Sequence, residues 1–128
     1  MDAATNPSPG FARNPSKVIA VTPQPGTVAV YAGDTLIARS SRAKVLDEPP
    51  YPTRIYIPFE DIRFDRLQKT AHGTHCPYKG DASYWSVPTA DENGENAMWA
   101  YEHPYDEMAQ IADHGAFYAD RVRIVTEG

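Results

Sequence analysis

Hydrophobic residues in this chain occur in short runs, and proline, glycine and acidic residues separate one run from the next. Residues 27–31 and 35–40 are two such runs, and the turn around Gly33 between them predicts a β-hairpin. Because side chains alternate along a strand, every second residue of the hairpin should face the core. The residues expected on that face are Val28, Val30, Leu36 and Ala38.

The same pattern predicts further short strands. They cover residues 17–21, 43–48, 54–57, 82–87, 96–101, 116–118 and 121–125. Residues 59–62 favour a single helical turn, and residues 91–94 favour a polar turn. Residues 104–113 favour a helix, because Pro104 suits its first turn and Gly115 its end. Since strands and helices do not alternate, the predicted fold is a compact, mainly antiparallel β domain with one or two short helices.

The length of 128 residues corresponds to one ordinary domain. Residues 1–16 contain three of the twelve prolines together with small and polar residues, so we expect an extended or disordered arm there. Phe11 is the one large apolar residue in that arm, and it could hold the arm against the body of the protein. The β domain is expected to cover residues 17–128.

The charge balance limits the partners that this chain could bind. The net charge is −5, whereas duplex DNA and anionic membranes are recognised by concentrated cationic surfaces. The sequence has no apolar run long enough to cross a bilayer, and its first residues lack the features of a signal peptide. The single cysteine cannot form an intrachain disulfide. We therefore expect a cytoplasmic protein that binds neither duplex nucleic acid nor membranes.

Residues 74–80, with the sequence Thr-His-Cys-Pro-Tyr-Lys-Gly, contain the only cysteine. Cys76 adjoins His75 and precedes Lys79 by three residues, and Pro77 prevents a regular strand from continuing past it. We expect a polar, kinked loop that presents the thiol to a cleft. A cation close to a thiol promotes the thiolate, so Cys76 is a candidate nucleophile with His75 or Lys79 as its promoter. Alternatively, Cys76 is a small buried side chain, as free cysteines often are.

Lys79 and Gly80 also suit an anion site, because the ammonium is a compact charge and glycine allows close backbone approach. Aromatic residues on the neighbouring strands could form the walls of such a pocket. The candidate ligand contacts are Arg42, Tyr56, Tyr78, Lys79, Gly80, Tyr84 and Trp99. For Arg54, Asp61 and Glu102, ordinary surface or capping roles are expected.

Three potential metal ligands, His72, His75 and Cys76, cluster in the sequence. A structural zinc site usually needs a second closely spaced pair of ligands, which the sequence lacks. His75 and Cys76 would also point in opposite directions on a strand. We therefore predict no metal and no cofactor.

Several segments carry a family resemblance. They are residues 28–33, 38–40, 56–58, 74–84, 99–105 and 116–118, and the Cys-Pro-Tyr-Lys-Gly block is the most specific. Over residues 17–125 the chain resembles a bacterial domain-of-unknown-function family, sometimes labelled nucleotidyltransferase-like, with a Thr-x-Cys-Pro-Tyr-Lys-Gly motif. The resemblance implies a β-tent fold like that of Mss4-like proteins, in which two sheets lean together around a pocket. The paired Cys-x-x-Cys zinc ligands of many such proteins are missing here.

Three functions fit these observations. The favoured one is a module that binds a small polar or anionic molecule in an aromatic-lined pocket near Cys76 and Lys79. The second is a thiol-dependent enzyme that uses Cys76 as its nucleophile. The third is a homodimeric interaction domain, because the edge strands of a small β domain can pair with a second copy.

Overall fold

The computed structural model describes residues 5–88 and 94–127. Within these ranges the chain forms one short α-helix, α1, and ten strands. Their bounds are α1 Pro9–Arg13, β1 Ala20–Pro23, β2 Thr27–Ala32, β3 Thr35–Ser40, β4 Lys44–Asp47, β5 Arg54–Pro58, β6 Gln68–Cys76, β7 Gly80–Ser86, β8 Met98–Ala100, β9 His114–Phe117 and β10 Arg123–Glu127. Short 3-10 helices cover Phe59–Asp61, Phe64–Arg66 and Asp106–Ile111. None of the described helices is long and apolar enough to cross a membrane.

The strands form two sheets in which every neighbouring pair is antiparallel. The large sheet has seven strands in the order β1-β4-β5-β9-β8-β7-β6, and the small sheet has three in the order β10-β2-β3. The predicted mainly antiparallel β fold with short helices is therefore confirmed. The closer likeness to Mss4-like proteins and the domain boundary at residue 16 stay predictions.

The β2–β3 hairpin forms where the sequence predicts it, and Gly33 in its turn has a φ of +60°. The expected buried face is correct for three of its four residues, but Leu36 is only half-buried. Val30 pairs with Ala38 and Tyr31 pairs with Leu36, so Ile37 is the extra residue of a β-bulge. The bulge turns Ile37 into the core in place of Leu36.

The large sheet has two faces with different surroundings. Its inner face packs against the small sheet, and the core between them includes Ile57, Trp85, Met98 and Phe117 from the large sheet with Val28, Val30 and Ile37 from the small one. Side chains that alternate with these lie on the outer face, which carries Tyr56, Tyr84, Trp99 and Ala116. The outer face packs on Met108 and Ile111 of the last 3-10 helix.

Two local predictions need correction. Residues 104–113 do not form an α-helix, because the bonds from Met108 N–H to Tyr105 O and from Ala112 N–H to Ala109 O are of the shorter 3-10 type. The N-terminal arm is not wholly extended, because Ser8 Oγ accepts a hydrogen bond from the Phe11 N–H and caps helix α1. Most of the predicted polar turn at 91–94 lies outside the described residues.

Candidate functional site

The only cysteine lies at the end of a strand rather than in a loop. Strand β6 continues to Cys76, the turn is limited to residues 77–79, and Gly80 pairs with Cys76 as β7 begins. The predicted kinked loop is therefore wrong for residues 72–76. These residues lack a hydrophobic alternation because β6 is an edge strand that is largely exposed to solvent. Gly80 has a φ of +124°, which favours glycine at this corner.

A cleft of about 470 Å³ lies on the outer face of the large sheet. Its lining includes the thiol-bearing Cys76, Leu46 and seven aromatic residues, which are Tyr51, Tyr56, Tyr78, Tyr84, Trp99, Tyr101 and Tyr118. Strand alternation explains why these side chains converge, since Tyr84 and Trp99 point away from the inner core. No described residue of the small sheet lines the cleft, so it does not lie between the two sheets as the β-tent resemblance implied.

A cluster of two lysines and one glutamate closes one side of the cleft. Glu48 accepts a hydrogen bond of 2.5 Å from Lys79 Nζ, and its other oxygen lies 3.2 Å from Lys17 Nζ. Glu48 and Lys79 are both buried, at 8% and 9% exposure. Burial acts to raise the pKa of the Glu48 carboxyl, but the hydrogen bonds and charges of Lys79 and Lys17 hold that pKa below its ordinary value.

Arg54 supplies a third cation to the cleft. Its guanidinium lies over the rings of Trp99 and Tyr118, 5.4 and 5.8 Å from their centroids. Among the described residues, no carboxylate forms an ion pair with Arg54. The described lining therefore carries three cations, Lys17, Arg54 and Lys79, against the single carboxylate of Glu48, a net formal charge of +2. The whole chain carries −5.

Hydroxyl groups of the cleft form hydrogen bonds with neighbouring side chains. Trp99 Nε1 donates to Tyr56 Oη at 3.1 Å, and the hydroxyls of Thr74 and Tyr84 lie 3.0 Å apart. Burial raises the pKa of Tyr56 well above its ordinary value. Burial, with a hydrogen bond to Tyr84, raises the pKa of Tyr118 to about 12. These two phenols therefore add no negative charge to the cleft at neutral pH.

The structure brings together six of the nine residues that the sequence nominated. Cleft-lining members of that set are Tyr56, Cys76, Tyr78, Lys79, Tyr84 and Trp99. Gly80 is only the corner beside the cleft. His75 points to the other side of β6, where its Nδ1 lies 2.7 Å from Asp81 Oδ1. Arg42 lies in a separate groove, where it pairs with Glu60 and Asp61.

Three charged residues of the cleft were missed as site residues. Glu48 lies two positions after the outer-face residue Leu46, and Arg54 lies two positions before Tyr56. The alternation of side chains along a strand therefore indicated that Glu48 and Arg54 lie on the same face as Leu46 and Tyr56. Lys17 lies before β1 and reaches the cleft through a tertiary contact, so no local pattern indicated it.

Potential metal ligands do not converge in the described part of the chain. No group of three or more His, Cys, Asp or Glu side chains there could hold a metal ion. His72 instead packs its ring against Tyr84, with 4.4 Å between centroids.

The fold and the site define a small two-sheet β protein with a cationic, aromatic cleft on the outer face of its larger sheet. Residues 20–128 match the model of a family described as Domain of unknown function (DUF427), and the chain belongs to that family. No curated protein sequence matches the chain. The predicted family resemblance is confirmed, whereas the Thr-x-Cys-Pro-Tyr-Lys-Gly motif as its hallmark stays a prediction.

Proposed function

We propose that the cleft binds a small organic anion that combines a flat apolar part with a carboxylate, phosphate or similar group. The observation that carries this proposal is the charge of the cleft, which is +2 in a protein whose net charge is −5. Removing cations from water is costly unless an opposite charge compensates them. Glu48 compensates only one of the three, and a bound anion would compensate the others.

Arg54 is the main anion contact in this proposal. From the sequence, Lys79 was expected in that role, but the Lys79 ammonium is already bonded to Glu48. The Arg54 guanidinium has no carboxylate partner in the described chain, and its planar fork suits bidentate binding of carboxylate or phosphate. Lys79 then acts mainly by holding Glu48 against the wall of the cleft.

The aromatic residues determine the second part of the ligand. A volume of about 470 Å³ is within the range of ordinary small-molecule sites. Its rings offer apolar faces, while Arg54 and Lys17 lie over some of those faces and keep positive charge beside them. A flat apolar group joined to an anion would use both features, whereas an inorganic anion would use only one.

A titration with four phenyl compounds tests the charge and the ring separately. Phenyl phosphate, benzoate, benzyl alcohol and benzylamine are added to ¹⁵N-labelled protein, and the amide and Trp99 indole resonances are followed by NMR. We expect phenyl phosphate and benzoate to bind, the neutral alcohol to bind much more weakly and the amine not to bind. Inorganic phosphate, as a fifth probe, should bind more weakly than phenyl phosphate.

Two arginine variants locate the charge. Arg54→Met should lower the affinity for phenyl phosphate at least about tenfold, because charge-assisted hydrogen bonds contribute about 1.5–3 kcal/mol. Arg42→Met is the matched control, since Arg42 pairs with Glu60 and Asp61 outside the cleft. The proposal is wrong if neither anion shifts cleft resonances, or if the two variants weaken binding equally.

Thiol chemistry is a second candidate function, because Cys76 is a half-buried lining residue of the same cleft. Its two proposed promoters are otherwise engaged, His75 with Asp81 and Lys79 with Glu48. The rate of Cys76 alkylation by iodoacetamide between pH 5 and 10 tests this candidate. A thiol enzyme should show a reactive plateau at neutral pH that Lys79→Met removes, and a rate that rises only in alkali would rule the candidate out.

A further inference from the structure

We infer that residues 6–17, which precede the family-matched range, form a specificity-determining wall of the binding cleft. This inference rests on the proposed function. Helix α1 approaches the turn after Cys76 closely. Ser8 Oγ and the Gly10 N–H both donate hydrogen bonds to the carbonyl oxygen of Pro77, at 2.8 and 2.9 Å. Ser8 is 1% exposed although its side chain is polar, so this contact is part of the interior.

Gly10 permits that approach because it has no Cβ. An added Cβ would lie 2.8 Å from Pro77 O and 2.8 Å from Tyr78 Cδ1, closer than real Cβ atoms come to their neighbours. Phe11 then packs edge-on against the Tyr78 ring, with 5.1 Å between centroids. Helix α1 therefore holds the turn and the Tyr78 ring in the orientation that the cleft has.

A second set of contacts fixes the segment to the last 3-10 helix. The Asn6 N–H donates to Asp106 Oδ2 at 2.8 Å, and the Asp106 N–H donates back to Asn6 O at 2.9 Å. The Ser8 N–H donates to Glu107 Oε1 at 2.9 Å. The segment is thus attached on both sides, and it is not a loosely placed terminus.

Lys17 is the residue of this segment that enters the cleft. Its ammonium lies 5.1 Å from the Tyr78 centroid, 5.7 Å from the Tyr51 centroid and 3.2 Å from Glu48 Oε2. Lys17 supplies one of the three cations, and without it the net charge of the described lining falls from +2 to +1. A cation that the family-matched residues do not contain therefore tunes how much negative charge the cleft accepts.

Two substitutions with matched controls test the inference in the full-length chain, with phenyl phosphate and benzoate as probes at pH 7.5. Lys17→Met should lower the affinity for phenyl phosphate about fivefold, since a partly exposed ion pair contributes about 1 kcal/mol. Because benzoate carries less charge, its affinity should fall only about twofold in Lys17→Met. Lys17→Arg should have the wild-type affinity for both probes. Lys44→Met, which removes a lysine bonded to Gln110 O, should change neither.

The second variant separates the helix from the charge. Gly10→Ala should lower the affinity for both probes about fivefold or more without changing the ratio of the two affinities. The substitution displaces the turn after Cys76 but keeps the charges of the cleft. Gly73→Ala is its control, because a Cβ there has no neighbour closer than 3.5 Å. If Gly10→Ala does not fold, Lys17→Met still decides. Unchanged binding in Lys17→Met overturns this inference alone, and absence of binding in the wild type overturns the proposed function and this inference with it.

Discussion

Glu48 is the only negative charge among the described residues that line the cleft, and its removal should destabilise the protein measurably. Glu48→Gln keeps the size and one acceptor oxygen but removes the counter-charge that the Lys17 and Lys79 ammonium groups have among the described residues. Breaking a fully buried ion pair costs about 3–5 kcal/mol, and breaking an exposed pair costs about 0.2–1 kcal/mol. The Glu48 and Lys79 side chains are each 11% exposed beside an open cleft, which places this cluster between the two cases.

We therefore expect Glu48→Gln to lower the free energy of unfolding by about 2 kcal/mol at pH 7. For a domain of this size the loss corresponds to a fall in Tm of about 6–10 °C. Urea and thermal unfolding, followed by circular dichroism, measure both quantities. Removing Lys79 as well relieves the repulsion, so Glu48→Gln with Lys79→Met should be less destabilised than the sum of the two single variants.

The pH dependence gives an independent check of the same interaction. The pKa of Glu48 is lower in the folded protein than its ordinary value of 4.5, so on acidification the unfolded chain takes up this proton first. The stability that Glu48 contributes is thus fully present above about pH 4.5 and is lost as the pH falls through the folded pKa. The difference between wild type and Glu48→Gln should shrink below pH 4.5. A difference under about 0.5 kcal/mol at pH 7, or one that does not change with pH, would falsify this account.

Two further substitutions test the packing on either face of the large sheet. Gly115→Ala places a Cβ 2.8 Å from Met98 Sδ and should lower the free energy of unfolding by about 1–3 kcal/mol. The control, Gly73→Ala, should lower it by less than about 0.5 kcal/mol. Equal urea midpoints for the two variants would contradict the packing described for the inner face. Tyr56→Phe removes the hydroxyl that accepts the buried hydrogen bond from Trp99 Nε1. The loss should lower the free energy of unfolding by about 1–3 kcal/mol. An unchanged urea midpoint would mean that this hydrogen bond is not formed.

Much of the fold could be predicted from the sequence because it depends on local chemistry. The turn at Gly33 and the alternation around it need only neighbouring residues, and they predict the β2–β3 hairpin. The bulge at Ile37 depends on how the small sheet meets the large one, so Leu36 was wrongly placed in the core. Strand β6 was missed because an edge strand has no buried face to impose a hydrophobic pattern.

The candidate site was predictable only in part for a related reason. Tyr84 and Trp99 occur on strands whose period was readable, so their convergence followed from alternation. The bond between Lys79 and Glu48 joins residues 31 positions apart, and no local rule indicates such a pair. His75 was nominated because it adjoins Cys76 in sequence, yet adjacent residues on a strand point to opposite sides.

The division of the large sheet into two faces has an evolutionary consequence. Tyr84 and Trp85 are neighbours in the chain, but Tyr84 lines the cleft on the outer face and Trp85 packs in the core between the two sheets. Substitutions at the first kind of position change the lining of the cleft, whereas those at the second kind disturb the packing between the two sheets. Under the proposed function, codons for the cleft lining can change under selection for binding while codons for the inner core stay under selection for folding.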